Sequence, residues 1–142
     1  EHPLAGAREV PLARLAQEVF VMREPGSGTR LVMDRFFSDQ GIAIQRGMQM
    51  TRNEAIKQSV RAGLGLSLIS LHSIELELAT GKLVVLDVIG LPIQHQWYLV
   101  YRRGKRLSPS AWAFREFVLA EARHLATGTA SWLPSRGDQG IR

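Results

Sequence analysis

The sequence contains no cysteine, which excludes disulfide scaffolds, thiolate metal sites and cysteine nucleophiles. Histidine is scarce too. The four histidines (His2, His72, His95 and His124) are dispersed, with no H-x-x-x-H or H-E-x-x-H spacing to hold a metal. Paired carboxylates are equally poor, because Glu75 and Glu77 are two residues apart on an expected helix and point to different faces. Ser27 lies in G-S-G rather than G-x-S-x-G, no His or Asp is placed to activate it, and no phosphate-loop lysine follows the glycines. Neither an enzyme, nor a metal site, nor a resident cofactor is expected. The apolar runs fall well short of a bilayer-spanning helix and no signal peptide is visible, so the expectation is a soluble, cytoplasmic protein with no membrane partner.

What remains is an ordinary globular composition: 142 residues, 45% hydrophobic and 22% charged, a length that suits one domain. The net charge of +5 raises the question of nucleic acid. Its densest basic group (Arg102, Arg103, Lys105, Arg106) is short, and no helix-turn-helix or finger pattern accompanies it. Direct DNA binding by this chain is therefore the weaker reading.

Apolar runs alternate with helical patterns, which predicts βα units around a largely parallel sheet. Strands are expected at residues 19–22, 42–50, 64–70, 83–88 and 96–102. A short helix is expected at 11–17, with longer ones at 29–40 (closed by Gly41), 55–62 (ended by Gly63) and 72–79 (closed by Gly81). Ser108-Pro109 opens a last helix whose face runs Ala111, Phe114, Val118, Ala122 and Leu125. Residues 127–142, rich in Gly, Ser and Pro, read as a flexible tail. The opening Glu1-His2-Pro3-Leu4 has no initiator Met, and the chain reads as cut from something longer.

Two helix starts carry the functional signal. Arg23-Glu24-Pro25-Gly26-Ser27-Gly28-Thr29-Arg30 breaks an apolar strand and restarts as a helix, which presents free backbone N–H groups and the positive end of a helix dipole. Such an end grips a small anion without a charged side chain. The second start, Thr51-Arg52-Asn53-Glu54, matches the capping box, with Thr51 as cap and Glu54 reaching back. In a parallel βαβ arrangement both lie at carboxyl ends of strands and can face one crevice. Arg23 and Arg30 are either charge partners for the anion or solvated surface groups.

Six segments together carry a resemblance: H-P-L-A-G at 2–6, R-E-P-G-S-G-T-R at 23–30, N-E-A-I-K-Q at 53–58, A-G-L-G-L-S-L-I-S at 62–70, L-V-V-L-D-V at 83–88 and Q-W-Y-L-V at 96–100. In this order and spacing the chain resembles the co-inducer-binding domain of LysR-type transcriptional regulators over residues 1 to about 125. Residues 23–30 and Q-W-Y-L-V lean toward the CbbR-like subgroup, regulators of carbon-fixation (RuBisCO) operons. The resemblance implies an α/β, Rossmann-like fold of the type 2 periplasmic-binding-protein kind, with an effector cleft between two subdomains. Residues 10–90 would form subdomain II whole, and residues 91–126 the return strand and last helix of subdomain I. DNA would be reached only through a helix-turn-helix domain outside this chain. Carried over by position, the effector contacts fall on Ser27, Gly28, Thr29, Thr51, Asn53 and Glu54, with main-chain N–H groups at 28–29 and 53–54 binding a small anionic metabolite: a phosphorylated sugar, an organic acid or an NADPH-like molecule. The apolar 97–100 strand and the helix face of Phe114, Phe117, Val118 and Leu125 would have lost their neighbours, which implies self-association, as a dimer here and a tetramer at full length. The alternatives on the same scaffold are a solute-binding protein and a small enzyme of prephenate dehydratase type.

Overall fold

The computed structural model describes residues 2–94 and 98–127, with side chains through Ala122 in the last helix. It divides after Pro92 into one compact unit, Glu1–Pro92, and a second that starts at Ile93. Residues 95–97 and 128–142 lie outside the described residues, and with them His95, Trp97 and the expected tail.

The first unit is built around β1 (Val19–Arg23), whose Phe20, Val21 and Met22 are all buried. An unbroken apolar run is the signature of a parallel strand covered on both faces. β1 leads through Pro25-Gly26 into α1 (Gly28–Asp39), and β2 (Gln45–Met50) pairs parallel to β1 before α2 (Asn53–Arg61). Phe20 and Met22 pack with Met33 and Phe37 of α1 and with Leu4, Val10, Leu15 and Val88. Phe20 meets Phe37 edge-on at 5.6 Å between ring centroids, an arrangement aromatic quadrupoles favour. β1 also contacts α2, whose buried residues are Ile56 and Ser59.

The helix stops lie where glycine was expected to set them. Gly41, Gly63 and Gly81 each follow a helix's last cap residue with φ of +65°, +77° and +65°, the left-handed C′ conformation that only glycine adopts without strain.

The strands are shorter than the sequence predicts. Residues 42–50 become β2 only from Gln45, where the pairing with Val19 begins, and between Phe20–Arg46 and Met22–Gln49 an extra residue of β2 lies opposite β1. This bulge centres on Gly47, where a side chain would collide with Val19, and it breaks the alternation that Ile42, Ile44 and Met48 display. Residues 64–70 and 83–88 are not ladder strands. Each makes one parallel bridge, Phe20 with Leu66 and Val10 with Val88. Around Leu66 the chain exchanges two backbone hydrogen bonds with β1, from Leu66 N to Val19 O (2.9 Å) and from Val21 N to Leu66 O (2.8 Å), and then departs. Gly65, with φ of +144°, enters that pairing outside the β region, which limits its length. Residues 98–102 carry no strand, and the expected 72–79 helix splits into a 3₁₀ turn at Leu71–Ser73 and α3 (Glu75–Ala79). The 11–17 helix is a 3₁₀ helix, Leu12–Gln17, with Leu15 buried.

In the second unit the one helix among the described residues is α4 (Pro109–Thr127). Ser108 caps it as expected, its Oγ accepting from Ala111 N at 3.3 Å, and Pro109 takes the first helical position. Among the described residues no helix is long and apolar enough to cross a membrane.

Candidate functional site

Two parallel strands lying side by side carry two helix starts on the same edge of the sheet. The strand ends are joined directly, by Glu24 N donating to Met50 O at 3.1 Å. At α1, Ser27 is the cap, with its backbone extended (φ −69°, ψ 145°) and its Oγ accepting from Arg30 N at 3.2 Å. Leu31 N donates to Ser27 O, so Gly28 and Thr29 carry the amides that the helix itself leaves open. The Ser27 hydroxyl accepts at its oxygen and keeps its own proton for donation.

The second start is built differently from the expected capping box. Arg52 is the cap (φ −130°, ψ 137°), without a side-chain cap hydrogen bond, and its carbonyl takes Ile56 N at 3.2 Å. Glu54 does not reach back to Thr51. Its Oε2 lies 2.8 Å from Lys57 Nζ, and its Oε1 accepts from Gln58 Nε2 at 2.7 Å. Donors three and four residues along the same face are closer to hand than the residue-51 amide, and they win the carboxylate. Thr51 is exposed, and among the described residues its hydroxyl has no hydrogen-bond partner. The Asn53, Glu54 and Ala55 amides are the first-turn donors of α2.

Lys57 also reaches Glu77 Oε1 of α3 at 2.8 Å, forming a Glu54–Lys57–Glu77 triad. The hydrogen bond from Lys57 holds both carboxyls below the usual carboxylate range, and Glu54 and Glu77 in turn raise the Lys57 ammonium. Glu77 is buried, and its other oxygen, Oε2, has no partner among the described residues. The side chain of Glu54 therefore faces a cation of its own helix, and its contribution to an anion is its amide.

The two arginines of the first motif are neither free charges nor surface groups. Arg30 is 4% exposed. Its Nε donates to Asp34 Oδ2 at 2.7 Å and its Nη1 to Arg23 O at 3.0 Å, which pins the end of β1 to α1. Arg23 grips both Glu24 oxygens, Nε to Oε2 at 2.8 Å and Nη2 to Oε1 at 3.0 Å, and with Nη1 donates to Asn53 Oδ1 at 2.9 Å. Bidentate pairing with Glu24 lowers that carboxyl and raises the guanidinium. The Arg30–Asp34 spacing of four was a sequence signal for the first tie. Nothing in the sequence signals the Arg23–Asn53 bond, which spans 30 residues.

The six expected contact residues thus fall on one edge of the sheet in the first unit, and Asn53 is bound to the strand that precedes Ser27. The hollow along residues 100–107, lined by Arg102, Arg103 and Lys105, belongs to the second unit and holds none of them. No group of His, Asp or Glu able to hold a metal exists among the described residues.

Adjacent parallel strands that deliver helix starts to one end of the sheet are a common setting for ligand crevices in α/β folds. Residues 1–123 match the LysR substrate binding domain family, and the chain belongs to it. It is a LysR-type effector-binding domain with the type 2 periplasmic-binding-like α/β fold.

Its relatives are narrower in kind. The chain is 70% identical over 125 residues to the RuBisCO operon transcriptional regulator of Allochromatium vinosum, an alignment covering 88% of this chain and 41% of that protein. It is 50% identical over 116 residues to the HTH-type transcriptional regulator CbbR of Rhodospirillum rubrum, covering 82% of this chain and 39% of the relative. The chain therefore spans about two-fifths of the length of these curated relatives. Among solved structures it is similar to the regulatory domain of Synechocystis PCC6803 CcmR in complex with 2-PG (2-phosphoglycolate). The TM-score is 0.79 and the identity 38%, over 84% of this chain and 58% of that one. The effector-binding domain of QuiR in complex with shikimate shares the fold at a TM-score of 0.67 and 22% identity, over 87% of this chain and 58% of that one.

Proposed function

We propose that this chain senses a small phosphorylated carboxylate, 2-phosphoglycolate or a close analogue, for a regulator of carbon-fixation genes. The carrying observation is the pair of open helix starts joined through Arg23 and Asn53, in a fold whose CcmR relative was solved with 2-phosphoglycolate. Amides 28–29 and 53–54, with the Ser27 and Thr51 hydroxyls and the Asn53 amide, take the phosphate and carboxylate oxygens. A dianion meets two positive helix ends there, each worth a fraction of a kcal/mol to about 2 kcal/mol.

The protein works as a sensor, not a catalyst, and in the cytoplasm, where metabolite and promoter meet. Residues 10–90 form subdomain II and residues 91–126 belong to subdomain I. DNA is contacted through a helix-turn-helix region such as the names of the relatives record, and the chain self-associates. Binding changes the DNA-bound oligomer only to the extent that the effector prefers one conformation over another.

Titration calorimetry of this chain with 2-phosphoglycolate, with shikimate as control, tests the proposal. The expected outcome is saturable binding of 2-phosphoglycolate in preference to shikimate, with no phosphate released on prolonged incubation. Absence of binding, or steady release of phosphate, defeats it.

A further inference from the structure

A guanidinium has donors only, so the atom of Asn53 lying 2.9 Å from Arg23 Nη1 is its amide oxygen. That bond settles which way the amide is turned. With Oδ1 taken, the NH2 group occupies the other prong, and among the described residues it donates to nothing. Asn53 is half-buried, so this NH2 group is neither lost in the core nor freely rotating. Two further bonds hold the guanidinium in place, and a third holds its backbone. Glu24 grips it at Nε and Nη2, and Arg30 Nη1 holds the carbonyl of Arg23 itself. Most of the positive charge of Arg23 is answered by Glu24, which leaves orientation as its main contribution.

We propose that Arg23 is a positioning residue for the effector: it locks the Asn53 amide so that the NH2 group is a fixed donor to an anionic oxygen of the ligand. This rests on the effector site proposed above and adds a selection rule. A locked Asn53 presents only a donor at that prong, which suits a phosphate or carboxylate oxygen and turns away a group that can only donate, such as an ammonium. Preorganisation of this kind removes the cost of ordering the amide at the moment of binding.

The test is calorimetry with 2-phosphoglycolate on the full chain, in wild type, Asn53→Ala, Arg23→Met, Arg23→Lys and the Arg23→Met/Asn53→Ala double variant, each checked by thermal melting. Asn53→Ala and Arg23→Met should each weaken binding about tenfold or more, the scale of one hydrogen bond to a charged group. The double variant should be no worse than either single one, because Arg23 acts through Asn53. Arg23→Lys, which keeps a donor for Oδ1, should recover most of the affinity. By NMR, the paired side-chain N–H signals of Asn53 should shift on titration in wild type. If wild type fails to bind, the proposed effector reading falls. If wild type binds but its Asn53 side-chain signals stay still, or Asn53→Ala binds normally, or the two losses multiply, the positioning role alone is overturned. The wild-type NMR titration and Asn53→Ala decide the matter even where Arg23→Met does not fold.

Discussion

Ser27 and Thr51 stand at the starts of neighbouring helices and are used differently. Ser27 satisfies the Arg30 amide, so Ser27→Ala should lower stability by about 1 kcal/mol, read as a shift in denaturant midpoint. Thr51 caps nothing, since Arg52 takes that place, so Thr51→Ala should change stability by no more than ~0.5 kcal/mol. If its free hydroxyl meets the effector, the same variant should still weaken 2-phosphoglycolate binding. Unchanged affinity would remove Thr51 from the site. Gly65 is a different kind of residue. Its φ of +144° and the carbonyl of Val19 beside its missing Cβ leave no room for a side chain. Gly65→Ala should cost at least ~1–3 kcal/mol by strain alone, and a melting temperature equal to wild type would show the backbone free to relax.

Between elements, the Lys57 bridge to Glu77 joins α2 to α3. Glu77 and Glu54 have folded pKa values below the ordinary range, so they add stability above that range and lose it as pH falls through the depressed values. Lys57 is raised, so its contribution is complete below the ordinary lysine range and fades as pH climbs through the raised value. Melting temperature should therefore be level near neutrality and fall toward acid. Lys57→Met should be less stable at neutral pH, because it leaves the buried Glu77 carboxylate uncompensated, and part of its acid sensitivity should disappear. A Lys57→Met melting curve parallel to wild type at every pH would mean the triad is solvated and idle. Phe37→Ala, 2% exposed and against Phe20, should cost about 3–5 kcal/mol by chemical denaturation.

At the scale of the whole molecule, α4 carries Trp112, Phe114 and Phe117 at 53%, 62% and 63% exposure. Apolar surface of this kind on one helix is an invitation to a second copy. Each ring fully covered contributes roughly 1.5–3 kcal/mol, so sedimentation should show concentration-dependent self-association that Phe114→Glu with Phe117→Glu abolishes. A wild type that sediments as a monomer at high concentration would contradict it. That helix was legible in sequence from its Ser108-Pro109 start and its apolar periodicity, whereas the expected 96–102 strand begins outside the described residues and residues 98–102 make no ladder.

What the sequence determined by itself is local and periodic. The apolar run of β1, the Ser27 cap and the glycine stops at 41, 63 and 81 follow from backbone sterics and nearest-neighbour hydrogen bonds, and the motif order was enough to identify the family. Only the tertiary structure decided the rest. Residues 64–70 and 83–88 look like strands, but a ladder needs a neighbour in register over several residues, and each finds one rung. Glu54 has the spacing of a capping box, yet Lys57, itself drawn to Glu77 of α3, takes its carboxylate. Arg23 looks like a surface cation, but parallel pairing of β1 with β2 carries Asn53 to its guanidinium across 30 residues of chain, and no pattern along the sequence encodes that meeting.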